Sequence, residues 1–63
     1  MIIRKEPNNP IDYYIVNSEV NMILHSNGYH PRYMSFDGNR YYYAKTENIL
    51  DFINKNNLVV LDA

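Results

Sequence analysis

Few residues in this chain could carry acid–base or metal chemistry. Histidine is the side chain that titrates near neutrality without perturbation, and there are two, His25 and His30. Cysteine is absent, which removes disulfides and thiolate zinc sites together. Two imidazoles cannot fill a four-ligand site, and no spacing in the sequence selects carboxylates to complete one. His25 therefore reads as a helix-flank residue and His30 as a loop residue before Pro31, with no metal and no cofactor expected. Nucleophilic catalysis needs an activated hydroxyl with a base in reach and a pocket that excludes water. Ser18, Ser26 and Ser35 are the candidate hydroxyls. Ser18 is placed to cap a helix. Ser26 follows His25, but consecutive helical residues point about 100° apart, a poor geometry for a nucleophile and its base. Gly28 and Gly38 are each explained by a cap or a turn, so no phosphate-binding loop is present. The reading is of a protein that is not an enzyme.

Tyrosine is the compositional anomaly, at seven of 63 residues. Tyr13, Tyr14, Tyr29, Tyr33, Tyr41, Tyr42 and Tyr43 cluster around the strands argued below. Successive strand residues face opposite sides of a sheet. Tyr41-Tyr42-Tyr43 must therefore present tyrosine to both faces, one packed on helices and one exposing phenol rings beside Arg32, Arg40 and Lys45. Tyrosine and arginine are the residues that anchor protein interfaces. The partner-binding residues expected on this basis are Arg32, Tyr33, Arg40, Tyr41, Tyr42 and Tyr43. Sheet aromatics with flanking arginine also suit stacking of single-stranded bases. The formal net charge of -1 argues against a strong grip on nucleic acid, which shows as clustered excess Lys/Arg. The seven acidic residues are scattered rather than blocked.

The elements that position these residues follow from local pattern. Residues 1–10 read as an arm, a short strand or a mobile segment, and a connector broken by Pro7 and Pro10. Residues 11–57 form the expected core. Ile11 to Val16 is rich in β-formers. Ser18 is a good N-cap with Glu19 behind it. Val20, Ile23 and Leu24 make one helical stripe, and Asn27-Gly28 ends the helix, with Gly28 at the left-handed C′ position. Arg32 to Phe36 and Arg40 to Lys45 are strands joined by the turn signal Asp37-Gly38-Asn39. An even loop places Met34, Phe36, Tyr41 and Tyr43 on one face. An odd loop instead groups Tyr42 and Ala44 with Met34 and Phe36. Thr46 caps a second helix with the stripe Ile49, Phe52, Ile53, widened by Leu50. Residues 58–63 form a β-prone tail that could be a fourth strand, an edge-pairing strand in a dimer, or a grip on a partner. The order is β-α-β-β-α, and the expected fold is a single α+β two-layer mini-domain with its helices on one face of a small sheet.

The stretch from Tyr13 to about Asn56 resembles a family of very short, uncharacterised proteins from Gram-positive bacteria and their phages. The features that carry the resemblance are the aromatic strand Tyr13-Tyr14-Ile15-Val16 running into a capped helix, and the Asn27-Gly28-Tyr29 step. The Asp37-Gly38-Asn39 turn, the aromatic strand Tyr41-Tyr42-Tyr43 and the Thr46-Glu47 helix start complete it. The family has no established activity, so the resemblance implies the order of elements and a phage or prophage origin, and no catalytic residue. Asn, Ile, Tyr and Lys make up 27 of the 63 residues. Their codons are AT-rich, as in low-GC Gram-positive genomes and their phages.

A domain of about 60 residues buries only roughly 60% of the surface its unfolded chain exposes, and small scaffolds gain from staples or partners. With disulfides excluded, self-association is the natural source of extra stability, and a homodimer is expected. The longest strictly apolar runs, such as Leu58 to Leu61, fall far short of the roughly 20 residues of a membrane span. The start Met1-Ile2-Ile3-Arg4-Lys5 has no long apolar core of a secretory signal, so a cytoplasmic location without membrane contact is expected. Taken together, the chain reads as a phage- or prophage-derived interaction protein that binds and inhibits a host bacterial protein as an anti-defence inhibitor. A nucleic-acid-binding accessory protein using the same Tyr/Arg face, and an assembly protein using its β-prone ends, are the alternatives.

Overall fold

The computed structural model describes residues 2–62. A single 3-10 turn at Pro10–Asp12 precedes strand β1 (Tyr13–Val16), helix α1 (Ser18–Ser26), strand β2 (Tyr33–Met34), strand β3 (Tyr41–Ala44) and helix α2 (Glu47–Lys55). The three strands form one antiparallel sheet in the order β1-β3-β2. The expected α+β mini-domain with the order β-α-β-β-α is the fold observed.

Boundaries move where side chains compete for the backbone. The first strand starts at Tyr13 rather than Ile11, because Pro10 takes the first position of the 3-10 turn, where its fixed φ and missing N–H cost nothing. The N-cap of α1 is Asn17, one residue before the expected Ser18. Its side-chain oxygen accepts the Val20 N–H at 2.9 Å, and Ser18 is the first helical residue. Thr46 caps α2 as expected, accepting from the Ile49 N–H. The strand expected over Arg32 to Phe36 shrinks to two residues, because Ser35 is drawn into the turn that follows.

The two helices end alike. After α1, the N–H groups of Gly28 and Tyr29 donate to the carbonyls of His25 and Leu24, each at 3.1 Å, with Gly28 at φ 91. After α2, those of Asn57 and Leu58 donate to Asn54 and Ile53, with Asn57 at φ 53. Both are Schellman ends, closed by a left-handed residue and an apolar side chain folded back on the helix. That side chain is Tyr29 in one case and Leu58 in the other, and both pack on the core. Tyr29 also meets Phe52 of α2, ring centroids 5.4 Å apart, so the end of one helix is pinned to the other.

Register fixes which tyrosine goes where. Tyr14 pairs with Tyr43 and Val16 with Tyr41 across β1 and β3, and Met34 pairs with Tyr41 across β2 and β3. Directly opposed residues share a face, so Tyr14, Val16, Met34, Tyr41 and Tyr43 form one face. This is the even-loop register. Phe36 leaves the sheet, since pairing ends with the Ser35 N–H on the Arg40 carbonyl. Both helices cover this face: Val20 and Leu24 of α1 and Ile49 and Ile53 of α2 are buried in one cluster with Val16 and Tyr43.

The second face carries Tyr13, Ile15, Tyr33, Tyr42 and Ala44. It is not bare, for Ile15 and Tyr42 are as buried as the helical core. Cover comes from the chain ends. Ile3 bridges Tyr33 in parallel at the outer edge of β2, with its N–H on the Arg32 carbonyl and its carbonyl accepting from Met34. Leu61 bridges Ile15 antiparallel at the outer edge of β1, through an N–H···O bond of 2.7 Å. Between arm and core, Pro7 is buried and Glu6 reaches the Tyr42 hydroxyl. Each outer strand edge thus carries one bridge from the chain itself, the arm on β2 and the tail on β1. Met1 and Ala63, the outermost residues of arm and tail, lie outside the described residues.

Candidate functional site

The expected binding face does not exist as one surface. Arg32 and Arg40 are exposed and Tyr33 and Tyr41 half-buried, whereas Tyr42 and Tyr43 are both 0% exposed. Tyr42 and Tyr43 are therefore core residues and cannot present rings to a partner. Their neighbours also part company. Tyr33 shares the second face with Tyr42, while Tyr41 shares the helix-covered face with Tyr43. The parity of adjacent strand residues dictates this split.

Tyr43 is the aromatic centre of the helical core. Its hydroxyl donates to Asn21 Oδ1 at 2.5 Å, which satisfies the one polar atom the ring carries inward. Burial, with a smaller contribution from Tyr41, pushes its pKa up to about 12. Lys45 sits 5.5 Å from the Tyr14 ring centroid, a cation–π contact at the rim of the same face.

On the second face a three-ring cluster forms. Tyr13 meets Tyr33 edge-to-face at 5.5 Å between centroids and meets Tyr42 at 6.4 Å and 90°. Ala44, opposite Tyr13, is the small residue beside which the Tyr13 ring can lean inward. Tyr42 lies at the base of the cluster, and its hydroxyl donates to Glu6 Oε1 at 3.1 Å. Burial first, and then the Glu6 carboxylate, raise the Tyr42 pKa, with Arg40 acting the other way. Tyr13 and Tyr33 remain half-exposed above it.

The hairpin tip adjoins this cluster through Glu6. Glu6, Ser35, Phe36, Asp37 and Arg40 line an open depression of ≈ 330 Å³. The Ser35 hydroxyl donates to Asp37 Oδ1 at 2.6 Å, the Asn39 N–H donates to the same oxygen at 3.0 Å, and the Arg40 N–H donates to Ser35 Oγ at 3.0 Å. The hydrogen bond from Ser35, then that from Asn39, hold the Asp37 carboxyl below its ordinary pKa. Gly38 supplies the positive φ of 74 that the turn requires. This tight turn holds Phe36 out in solvent, 81% exposed.

The candidate surface is therefore the half-exposed pair Tyr13 and Tyr33 over the buried Tyr42, linked through the exposed Glu6 to the depression at the hairpin tip that holds Phe36 and Arg40. Tyr41 lies on the other face, whereas Arg32 is exposed beside the arm and shares a second depression with Tyr33, Ile3, His30 and Pro31. Tyr13, Phe36 and Glu6 are the additions that strand-by-strand reasoning misses. Phe36 was legible as a large apolar residue directly before the turn; Glu6 depends on the arm crossing the sheet, which leaves no local signal.

Ser35 is committed to its turn. His25 and His30, expected to be independent, have their rings edge-to-face with centroids 4.9 Å apart. Among the described residues, no group of three or more His, Cys, Asp or Glu converges as a metal site, and no helix is long and apolar enough to cross a membrane. Comparison with protein-family models, with curated proteins and with solved structures finds no match to this chain.

Proposed function

We propose that this chain is a non-catalytic interaction protein that binds a host bacterial protein and inhibits it, as a phage- or prophage-derived anti-defence factor working in the host cytoplasm. The observation that carries the binding reading is the exposed aromatic surface on the sheet face away from the helices. Tyr13 and Tyr33 lock each other edge-to-face over a buried Tyr42, and Phe36 projects separately from the hydrogen-bonded turn at the hairpin tip. Rigid aromatic rings lose little entropy on docking and bury large apolar area, the features of interface anchors. Exposing a phenylalanine costs a domain that has few buried residues to spare, and a partner recovers that cost.

The phage origin and the inhibitory form rest on the resemblance of residues 13–56 to short phage-associated proteins, on the excess of Asn, Ile, Tyr and Lys, whose codons are AT-rich, and on the analogy that small accessory proteins work by occluding host factors. Charge at the site favours protein over nucleic acid: Glu6 and Asp37 share the depression with Arg40 and oppose a phosphate backbone. The proposed homodimer uses this face, since each sheet edge already carries a bridge from arm or tail.

The test is affinity capture of the tagged chain from a low-GC Gram-positive lysate, with and without nuclease, at low and high salt. A stoichiometric protein that persists through nuclease and high salt is the expected result. Nucleic-acid binding falls steeply with salt through counterion release, so recovery that vanishes with nuclease or salt would replace this reading with base stacking on Tyr13 and Tyr33.

A further inference from the structure

We propose that His25 and His30 form a chelating site for a divalent late first-row transition ion, with Cu(II) held most tightly. The two rings are 4.9 Å apart between centroids, at 79° between planes. Two imidazole nitrogens at about 2.0–2.1 Å from one ion place their ring centroids about 4.5 Å apart in square-planar geometry and about 5 Å apart in tetrahedral geometry. The observed separation falls in that interval. In the edge-to-face contact the two rings do not yet share a point, and rotation of the two exposed side chains about their χ angles brings one nitrogen of each to the ion.

The backbone holds this arrangement before any ion arrives. His25 is in the last turn of α1 and His30 follows the Schellman end. Between them, the Gly28 N–H donates to the His25 carbonyl, and the Tyr29 N–H to the Leu24 carbonyl. The Asn27 side chain donates to the Ile23 carbonyl at 2.8 Å, and Pro31, directly after His30, is buried. Only side-chain rotation is left to order, which lowers the cost of binding. Both histidines are exposed, so an ion reaches them without opening the fold. The site also lies at the carbonyl end of α1, where the helix dipole favours positive charge.

Neutral imidazole and the absence of carboxylates or thiolates set the class of ion. Imidazole suits copper, nickel and zinc, and affinity rises along the first row to Cu(II). Calcium and magnesium need oxygen ligands and are excluded. Water fills the remaining positions. Arg32 borders the depression that contains His30 and is the charged group working against the ion. Met22 and Met34 line the neighbouring depression with His25 and give that side of the site an apolar wall.

The test titrates the intact chain with CuCl2 at neutral pH, read by calorimetry and by electron paramagnetic resonance, beside His25→Gln and His30→Gln. The expected result is one Cu(II) per chain with two imidazole nitrogens in its spectrum, and a loss of affinity of at least about tenfold in either variant, no less than losing a supporting partner of a metal ligand costs. Three results would overturn the proposal: no stoichiometric binding, binding that survives either substitution unchanged, or a wild-type spectrum showing a single imidazole nitrogen. The spectrum of the wild type decides the matter without the variants.

Discussion

Tyr42 and Tyr43 are adjacent in sequence and equally buried, yet they answer to different surroundings because they lie on opposite faces. The Tyr43 hydroxyl is enclosed among helices with Asn21 as its acceptor, and its pKa of about 12 stands above the ordinary 10.0. The folded state therefore prefers the neutral phenol. This preference contributes its full stability below pH 10; as pH rises from 10 towards 12 the unfolded chain ionises first and stability is lost. Tyrosinate absorbance should show Tyr43 titrating near 12 in the folded protein, with Tyr42 also held above its ordinary value and stability falling above pH 10. If no ring titrated near 12, the enclosure of Tyr43 would be wrong. Tyr43→Phe should remove that late titration and cost about 1 kcal/mol, the net worth of one hydrogen bond, measured by denaturant unfolding. At the other end of the pH scale, Asp37 is depressed by the Ser35 and Asn39 hydrogen bonds. The turn keeps its acceptor above pH 3.8 and loses it as pH falls through the lowered value. A carboxyl resonance for Asp37 that titrates below 3.8, followed by NMR, is the expected outcome.

At the scale of elements, local chemistry decides the helices. Asn17 and Thr46 each accept an N–H of the first turn, and Asn17→Ala should cost about 1 kcal/mol. The matched C-terminal ends make a paired prediction. Asn57 holds φ 53 without the freedom of glycine, so Asn57→Gly should stabilise the fold by about 0.5–1 kcal/mol. Gly28→Ala should destabilise it by about 1 kcal/mol. No atom lies within 4 Å of a Cβ added at Gly28, so that cost is conformational rather than steric. Equal and small effects of the two substitutions on thermal unfolding would remove the Schellman account. These helices were legible from sequence because a cap, a stripe and a left-handed residue act within a few positions of one another. Even there, Asn17-Ser18 offers two competent caps, and the choice between them depends on where β1 stops pairing. The second strand was overstated because Ser35 spends its hydroxyl on Asp37 and Arg40 and its carbonyl on the Gly38 N–H within the turn. Which tyrosines face outward depended on the even register, which the sequence left open, and so Tyr42 and Tyr43 could not be assigned to the core beforehand. Single-residue bridges such as Ile3 to Tyr33 and Ile15 to Leu61 leave no periodic trace.

Over the whole molecule, the sheet is finished by its own ends. An uncovered strand edge is a template for pairing with other chains; here the arm lies on β2 and the tail on β1. Removing residues 58–63 deletes the half-buried Leu58 and Leu61 and the 2.7 Å bond to the Ile15 carbonyl. It should cost about 1–3 kcal/mol and expose the β1 edge, so light scattering should show self-association beyond that of the intact chain. With a bridge on each edge and helices over one face, the surface proposed for a partner is the Tyr13–Tyr33 pair together with Phe36 at the hairpin tip. The most direct measurement is capture from a low-GC Gram-positive lysate, under nuclease and high salt, by the wild type beside the double variant Tyr33→Ser/Phe36→Ser. The account predicts a stoichiometric protein partner held by the wild type and lost from a folded double variant. A partner retained equally by both would contradict it, as would material that disappears with nuclease.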